Sequence, residues 1–285
     1  MMLMTRRAFS LTSVVCAVPL GRKAVAAGGK TLRMRTVNRL PRMSRLGNGI
    51  WTGYEIEMAR ALCEGAGFTL EEVPVPNWTR SIKMMQEGDL DLLTTVSYRE
   101  ERTAFLDYVG PFDIEELVVL VRAENGDATF GSLDAFMVPG RVFQVVAGAA
   151  IEPEFDRRMK EDPEFARHFI TATAASRPDR WDMMRSTVLR VQRKRIFGAI
   201  TDWYNYNDIK YDPDRVKYLG SDPVDIVGVT ATFAGKPPTY LAASLHVDAA
   251  TREALHESYE RLRSSGEFDR IWKKWFPDRE LPPAK

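Results

Sequence analysis

From residue 32 onward, short apolar segments alternate with segments of helical periodicity, and this alternation limits the folds that the chain can adopt. In the helix predicted at 54–66, Ile56, Ala59 and Cys63 recur every three to four residues and share one face. Alternating strands and helices are typical of α/β proteins, in which helices pack against a sheet. The sequence therefore predicts an α/β fold.

The length of the chain and a change in composition indicate two lobes. A chain of 285 residues exceeds the roughly 150 residues that one domain typically has, which suggests two lobes and still allows one large domain. The polar stretch at 123–127 follows a β-rich segment and suggests a crossing to a second lobe. We expect 27–124 to form the first part of lobe 1, 125–221 to form lobe 2, and 222–285 to return to lobe 1. The predicted strands are 32–37, 68–75, 90–94, 117–122, 142–146, 197–201 and 226–232, and the predicted helices are 54–66, 77–87, one from about Trp181, and 250–263.

Residues 1–26 have the character of an export signal. A pair of arginines at 6–7 precedes an apolar run at 11–20, and a small-residue cleavage pattern ends at Ala26. The run is about half the ~20 residues that span a bilayer, so we expect cleavage near Ala26 and release into the periplasm. The arginine pair followed by Phe9 resembles a twin-arginine signal, which exports folded proteins, and an ordinary secretory signal is the alternative.

The net charge of +1 is the sum of a basic segment at 1–26 and a mildly acidic remainder. Residues 1–26 hold four of the 40 basic residues and no acidic residue, so the rest of the chain carries 36 basic against 39 acidic residues. A body near −3 argues against nucleic acid as the partner.

The two cysteines do not predict a disulfide. Cys16 lies inside the signal, where a lipid-attachment role is the alternative, so the mature chain keeps one thiol. Cys63 falls on the apolar face of a predicted helix, and we expect it in the core.

Signatures of catalysis, metal binding and cofactor binding are missing. The three histidines at 168, 246 and 256 are far apart, and neither an HExxH pattern nor a cysteine pair accompanies them. No glycine-rich phosphate loop follows a strand, and no GxSxG elbow occurs. We therefore expect no metal and no cofactor, while an enzyme built from carboxylates alone stays open.

The most informative motif is GYEIEMARALC at 53–63, a glycine turn followed by an acidic first helical turn and an amphipathic helix. This segment resembles the signature of the amino-acid-type (family 3) extracellular solute-binding proteins of bacteria. Further segments resemble the family in the same order along the chain: GDLDLL at 88–93, SYREER at 97–102, GPF at 110–112, GAITD at 198–202 and SGEFDRIWKKWF at 265–276.

The resemblance covers nearly all of the mature chain and implies a fold and a function. The implied fold is the type II periplasmic-binding-protein (Venus-flytrap) fold, with two α/β lobes joined by a hinge of two crossing strands. The implied function is that of a monomeric periplasmic receptor, which closes on a small-molecule ligand and presents it to the membrane permease subunits of an ABC importer.

The resemblance also implies a binding site with opposed charges. Arg102 matches the arginine that holds a carboxylate through two parallel hydrogen bonds, and Thr95 and Ser97 match the hydroxyl and backbone-amide donors. From the other lobe, Asp202 matches the aspartate that receives the ammonium group of the solute. A plainer interpretation also exists for each residue: Arg102 as a surface charge, Asp202 as a helix cap, and Thr95 and Ser97 as the end of a strand.

Departures from the family pattern affect the substrate. Arg39 stands where the family has an aromatic residue, and Gly148 and Ala149 replace a glycine–threonine loop, whose amides at a helix start still accept an anion. The segment at 152–195 is also atypical. These features leave an amino acid, or a more anionic or larger carboxylate, as the expected solute, with Arg39 as an added cation and Trp78 as a wall. A periplasmic dehydratase on the same scaffold and an accessory protein of another periplasmic system are the alternatives.

Overall fold

The computed structural model describes residues 29–39, 41–172, 180–211 and 225–284. The predicted signal at 1–26, with Cys16, lies outside the described residues, as do residues 220–223, where Gly-Ser-Asp-Pro predicts a turn. In chain order the elements are β1 (Thr31–Thr36), β2 (Ser44–Arg45), β3 (Trp51–Thr52), α1 (Tyr54–Gly65), β4 (Thr69–Pro74), α2 (Trp78–Glu87), β5 (Leu92–Ser97), β6 (Leu106–Ile114), β7 (Leu117–Arg122), β8 (Phe143–Val146), α3 (Pro153–Glu161), α4 (Pro163–Ala166), β9 (Phe169–Ala172), α5 (Arg180–Gln192), β10 (Gly198–Asp202), α6 (Trp203–Tyr211), β11 (Ile226–Thr230), β12 (Pro238–Ser244), α7 (Ala249–Ser264) and α8 (Glu267–Trp275).

Two five-stranded mixed sheets organise the chain. The first has the strand order β4-β1-β5-β12-β6, with β1 parallel to β4 and β5, and β12 antiparallel to β5 and β6. The second has the order β11-β7-β10-β8-β9, with β7 antiparallel to its two neighbours and β8, β9 and β10 parallel to one another. We call the parts of the chain built on these sheets lobe 1 and lobe 2.

The chain passes between the sheets twice, and the two crossings run side by side. The first crossing leads from β6 to β7 through Glu115 and Glu116, and the second leads from β11 to β12 through residues 231–237. The Glu115 amide donates to the Pro237 carbonyl at 2.9 Å, and the Ala231 amide donates to the Leu117 carbonyl at 2.9 Å. These paired crossings form a hinge between the lobes.

The chain changes sheet at other points than the composition indicates. The predicted lobe boundaries were set at 124/125 and 221/222, but β7 and β11 both pair within the second sheet. The polar stretch at 123–127 is the turn that follows β7, and the crossing lies earlier, at the two glutamates between β6 and β7.

Local signals explain how the helices at the cleft begin. Gly53, at φ 121°, precedes α1, and a Cβ atom there would lie 2.4 Å from the Arg42 carbonyl oxygen. Asn77 caps α2 as the sequence predicts, because its side chain accepts a hydrogen bond from the Arg80 amide at 2.9 Å. Gly88, in the left-handed conformation, ends that helix.

Separate apolar cores stabilise the two sheets. In lobe 1 the predicted core residue Cys63 is fully buried, and burial raises the pKa of its thiol to about 12. The core of lobe 2 is rich in phenylalanine, with Phe136 in edge or tilted contact with several other rings. Within the part of the chain that the structure describes, none of the helices combines the length and the apolar character needed to cross a bilayer.

Candidate ligand-binding cleft

A cavity of about 900 Å³ lies between the two sheets and is lined from both. Lobe 1 contributes the ends of β1 and β5 and the start of α2, while lobe 2 contributes the loop after β8 and the end of β10. Seven of the eight residues that the sequence assigns to the site line this cavity: Arg39, Trp78, Thr95, Ser97, Arg102, Ala149 and Asp202. The eighth, Gly148, is exposed and is not part of the wall.

Arg102 presents free hydrogen-bond donors to the cleft. It ends a short 3₁₀ turn at Glu100–Arg102, and its Nη1 donates to the Ser97 carbonyl at 3.4 Å. The Nε and Nη2 donors, which share the other edge of the guanidinium, have no acceptor among the described residues, and no described carboxylate lies within 4.0 Å. Burial lowers the pKa of Arg102, although a guanidinium remains protonated at neutral pH. This edge matches the two oxygens of a carboxylate.

The end of β5 is irregular where it reaches the cleft. The pairing of β5 with β12 shifts register near Thr95, whose φ of 53° lies in the left-handed region that a β-branched residue rarely adopts. Backbone strain of this kind is concentrated at functional sites. Two residues further on, the Ser97 hydroxyl donates to Glu115 at 2.7 Å. Thr239, opposite Ser97 on β12, adds a buried hydroxyl that has no hydrogen-bond partner among the described residues, and the sequence does not single it out.

Asp202 pairs with a cation from the other lobe. Its carboxylate forms an ion pair with Arg39, and both side chains are largely buried, at 19% and 14% exposure. The same carboxylate accepts hydrogen bonds from the Asn205 amide at 2.9 Å and from Asn205 Nδ2 at 2.8 Å. Asp202 therefore caps α6, as the plainer interpretation of the sequence holds, and it also faces the cleft.

Arg35 is a cleft residue that the sequence analysis missed. Its Nε donates to the Val75 carbonyl at 2.9 Å, and its guanidinium lies 5.4 Å from the ring centre of Trp78. Burial lowers the pKa of Arg35 to about 10, with a further contribution from nearby Arg39. In the sequence Arg35 falls in the middle of a predicted strand, where alternation alone does not distinguish a surface residue from a cleft residue.

A buried ionic network supports the floor of the cleft. Arg42, only 6% exposed, pairs with Glu55 of α1 and lies 3.5 Å from Asp113. The hydroxyl of Tyr204 lies 2.9 Å from both Asp113 oxygens and accepts a hydrogen bond from Arg279. Burial raises the pKa of Asp113, and Arg42 opposes that effect only in part. Glu55 was interpreted from the sequence as an acid that complements the helix dipole, but in the structure it is chiefly the counter-ion of Arg42.

The loop at 147–150 differs from the expected anion site. Gly148 and Ala149 were expected at a helix start, but α3 begins later, at Pro153, where Glu152 caps it. The Ala149 amide donates to the Val146 carbonyl within the loop, so it is not available to an anion. Proline fits the first position of a helix because it lacks an amide hydrogen, and this signal places the helix start after the loop.

Two further contacts connect the lobes beside the cleft. Arg99, just after β5, lies 3.2 Å from Asp156 of α3. In the second contact, the Thr79 hydroxyl of α2 donates to the Ala147 carbonyl after β8 at 3.4 Å. Together with Arg39 and Asp202, these pairs bring the facing surfaces of the two lobes together.

The described residues offer no metal site. In 29–39, 41–172, 180–211 and 225–284, no group of three or more histidine, cysteine, aspartate and glutamate side chains could hold a metal ion.

Glu115, at the hinge, gives the protein a pH dependence that can be measured. Removal from water raises its pKa, and the hydrogen bond from Ser97 lowers it only in part. The carboxyl therefore holds its proton to higher pH in the folded state than in the unfolded state. As the pH rises from the unfolded pKa through the folded pKa, the folded state loses stability. Glutamine is neutral at every pH and avoids this loss. We therefore expect Glu115→Gln to raise the free energy of unfolding at pH 7 by about 1.4 kcal/mol for each unit by which the folded pKa of Glu115 exceeds its unfolded pKa.

The advantage of Glu115→Gln should vanish well below pH 4.5, the ordinary pKa of this carboxyl, because the carboxyl of the parent is then protonated in both the folded and the unfolded state. Urea unfolding at pH 7 and well below pH 4.5 measures the difference in free energy of unfolding between the variant and the parent. Glu253→Gln, at an exposed glutamate, serves as the control. An advantage of equal size at both pH values would contradict the prediction.

Comparisons with known proteins agree on one family. The sequence model of the family described as bacterial extracellular solute-binding proteins, family 3, matches residues 32–278. The amino-acid-binding protein AabA of Dichelobacter nodosus is 20% identical over 229 residues, which are 80% of this chain and 80% of that protein. A probable histidine-binding protein of Neisseria gonorrhoeae is 22% identical over 82% of this chain and 78% of its own length.

The fold also matches solved structures. An ancestral arginine-binding protein bound to arginine aligns with a TM-score of 0.66 and 20% identity, over 86% of this chain and 98% of that one. At this level of identity the likeness shows the fold alone. The two sheets, their helices and the paired crossings form the type II periplasmic-binding-protein fold, as the sequence predicts.

Proposed function

This chain belongs to the family 3 bacterial extracellular solute-binding proteins, and from this membership we propose that it is a periplasmic receptor for a small carboxylate. It captures an amino acid or a related acid between its lobes and delivers it to the membrane permease subunits of an ABC importer. The observation that carries the proposal is that Arg102 lines a cleft between the two lobes, while its Nε and Nη2 donors have no acceptor among the described residues. In this role the export signal at 1–26 is cleaved, and the receptor acts as a monomer.

Ligand capture follows from the distribution of the binding groups. Arg102, Ser97 and Thr239 line the cleft from lobe 1, whereas the loop after β8 and the ion-paired Asp202 line it from lobe 2. A solute that contacts both sets stabilises the approach of the lobes more than their separation, and the hinge accommodates the movement. A permease can then distinguish the loaded receptor from the empty one.

We propose binding without chemistry. The acids of the cleft are engaged by their neighbours: Asp113 lies beside Arg42, Asp202 pairs with Arg39, Glu116 pairs with Lys236, and Glu115 accepts a hydrogen bond from the Ser97 hydroxyl. A proton-transferring acid or base has to reach the substrate. The cleft therefore favours a receptor over the dehydratase alternative.

Native mass spectrometry of the exported protein tests this function. We expect one solute per chain, of unchanged mass after incubation, and saturable binding of the same solute in calorimetry. The Arg102→Ala protein, purified in parallel, should carry none. Conversion of the solute would overturn the receptor in favour of an enzyme, and failure of a broad screen of amino acids and small carboxylates to yield a ligand would overturn both.

A further inference from the structure

The charges that line the cleft are not balanced. Its acids are engaged by partners of the same chain: Asp113 by Arg42, Glu116 by Lys236 at 3.5 Å, and Asp202 by Arg39. The remaining acid of the wall, Glu115, accepts a hydrogen bond from the Ser97 hydroxyl, and removal from water raises its pKa, which disfavours its negative charge.

Besides the exposed Arg80, two guanidinium groups that line the cleft keep donors that no acid among the described residues occupies. For Arg102 these are Nε and Nη2. For Arg35, Nε and Nη2 donate to the carbonyls of Val75 and Pro76, at 2.9 and 3.4 Å, while Nη1 has no acceptor among the described residues. No described carboxylate lies within 4.0 Å of either group. The cleft therefore offers two sets of donors to anionic oxygens, one on each arginine.

The acid expected to receive an ammonium group is already matched by a cation. Arg39 occupies the Asp202 carboxylate from across the cleft, in a pair with less than a fifth of either side chain exposed. A solute ammonium would have to displace this guanidinium and leave it enclosed without its counter-ion. An enclosed charge that loses its partner raises the free energy of the complex. The new contact between the ammonium group and Asp202 does not compensate for the unpaired Arg39 guanidinium.

We propose that the solute is a small dicarboxylate without an ammonium group, held by Arg102 and Arg35, and that Arg39 sets this specificity by occupying Asp202. The proposal rests on the receptor function above and narrows its substrate class. Arg39 takes the place that a zwitterionic ligand would fill with its own cation, so the solute contributes negative charge alone. The Arg35 guanidinium lies 5.4 Å from the centre of the Trp78 ring. Trp78 therefore forms the wall beside the solute carboxylate that Arg35 binds.

Matched acids test the proposal in the parent protein. Succinate and aspartate differ by one ammonium group, as do glutarate and glutamate, so calorimetry with each pair at pH 7.5 isolates its effect. We expect the ammonium-free acid to bind at least about tenfold more tightly in at least one pair. Binding of aspartate or glutamate at least as tightly as its partner in every pair would overturn the inference and leave the receptor function intact. Failure of these acids and of every amino acid to bind would overturn both.

Variants test the part played by Arg39. Arg39→Gln removes the cation that pairs with Asp202. We expect the amino acid of each pair to gain affinity relative to the ammonium-free acid by at least about tenfold. In Arg39→Gln/Asp202→Asn the carboxylate is absent as well, and the ratio of the two affinities should return toward that of the parent. Circular dichroism verifies the fold of each variant. An unchanged ratio in the folded single variant would overturn the role of Arg39, while the parent measurement still decides the solute class.

Discussion

Replacing Arg102 with alanine is expected to weaken binding of a carboxylate solute by at least about 100-fold, or about 2.7 kcal/mol. Arg102 lines the cleft, and Ser97 engages only Nη1, so Nε and Nη2 have no acceptor among the described residues. Two parallel charge-assisted hydrogen bonds disappear with the side chain, and the solute carboxylate would then be enclosed without a counter-ion. Calorimetry with the acid that binds the parent protein most tightly measures the effect.

A matched control comes from the rim of the same cleft. Lys83 lines the opening but is exposed, and it lies 3.5 Å from Glu87 one helical turn away. Lys83→Ala should change the affinity by less than about twofold, because a solvated charge contributes little. Near-normal affinity in Arg102→Ala would show that Arg102 does not bind the solute. Equal losses of affinity in both variants would show that any positive charge near the cleft has the same long-range effect.

Replacing Arg42 with methionine is expected to lower the free energy of unfolding by about 3–5 kcal/mol. Methionine keeps much of the apolar stem but leaves Glu55 and Asp113 without their shared cation in a buried setting. Their charges then have to be protonated or hydrated, which strains the floor of the cleft. Urea unfolding followed by tryptophan fluorescence measures the loss at pH 7.

A second substitution distinguishes unpaired charge from lost packing, because the two causes change the free energy of unfolding in opposite directions when Glu55 is also replaced. In Arg42→Met/Glu55→Met, one of the unpaired acids is removed, so the double variant should be more stable than Arg42→Met alone. Arg60→Met is the control, since its pair with Glu72 is partly exposed and should cost about 1 kcal/mol or less. A loss that grows further in the double variant would contradict the network.

Elements with strong local signals could be predicted from the sequence. The glycine turn and amphipathic pattern predict α1 within one residue of its observed end, and the cap at Asn77 marks the start of α2. By contrast, β6 contains a Gly-Pro step and β12 contains several small residues, so neither carries a clear strand pattern. Both strands form through pairing with each other and with the rest of the sheet, which is long-range information.

The site shows the same division between local and distant information. The family resemblance located Arg102, Thr95, Ser97 and Asp202, because each follows a recognisable step at the end of a strand. It could not indicate that Arg39 reaches Asp202, since the two residues are 163 positions apart and each has a plausible solvated role.

The position of β12 has a consequence for the order in which the molecule assembles. This strand lies between β5 and β6 in the first sheet, but the chain reaches it only after the whole of lobe 2. During synthesis β6 therefore has no partner on this side of the sheet until residues 238–244 emerge. Such distant pairing slows folding. The first lobe to begin synthesis is thus the last to be completed, and the cleft takes its shape only when almost the entire chain is present.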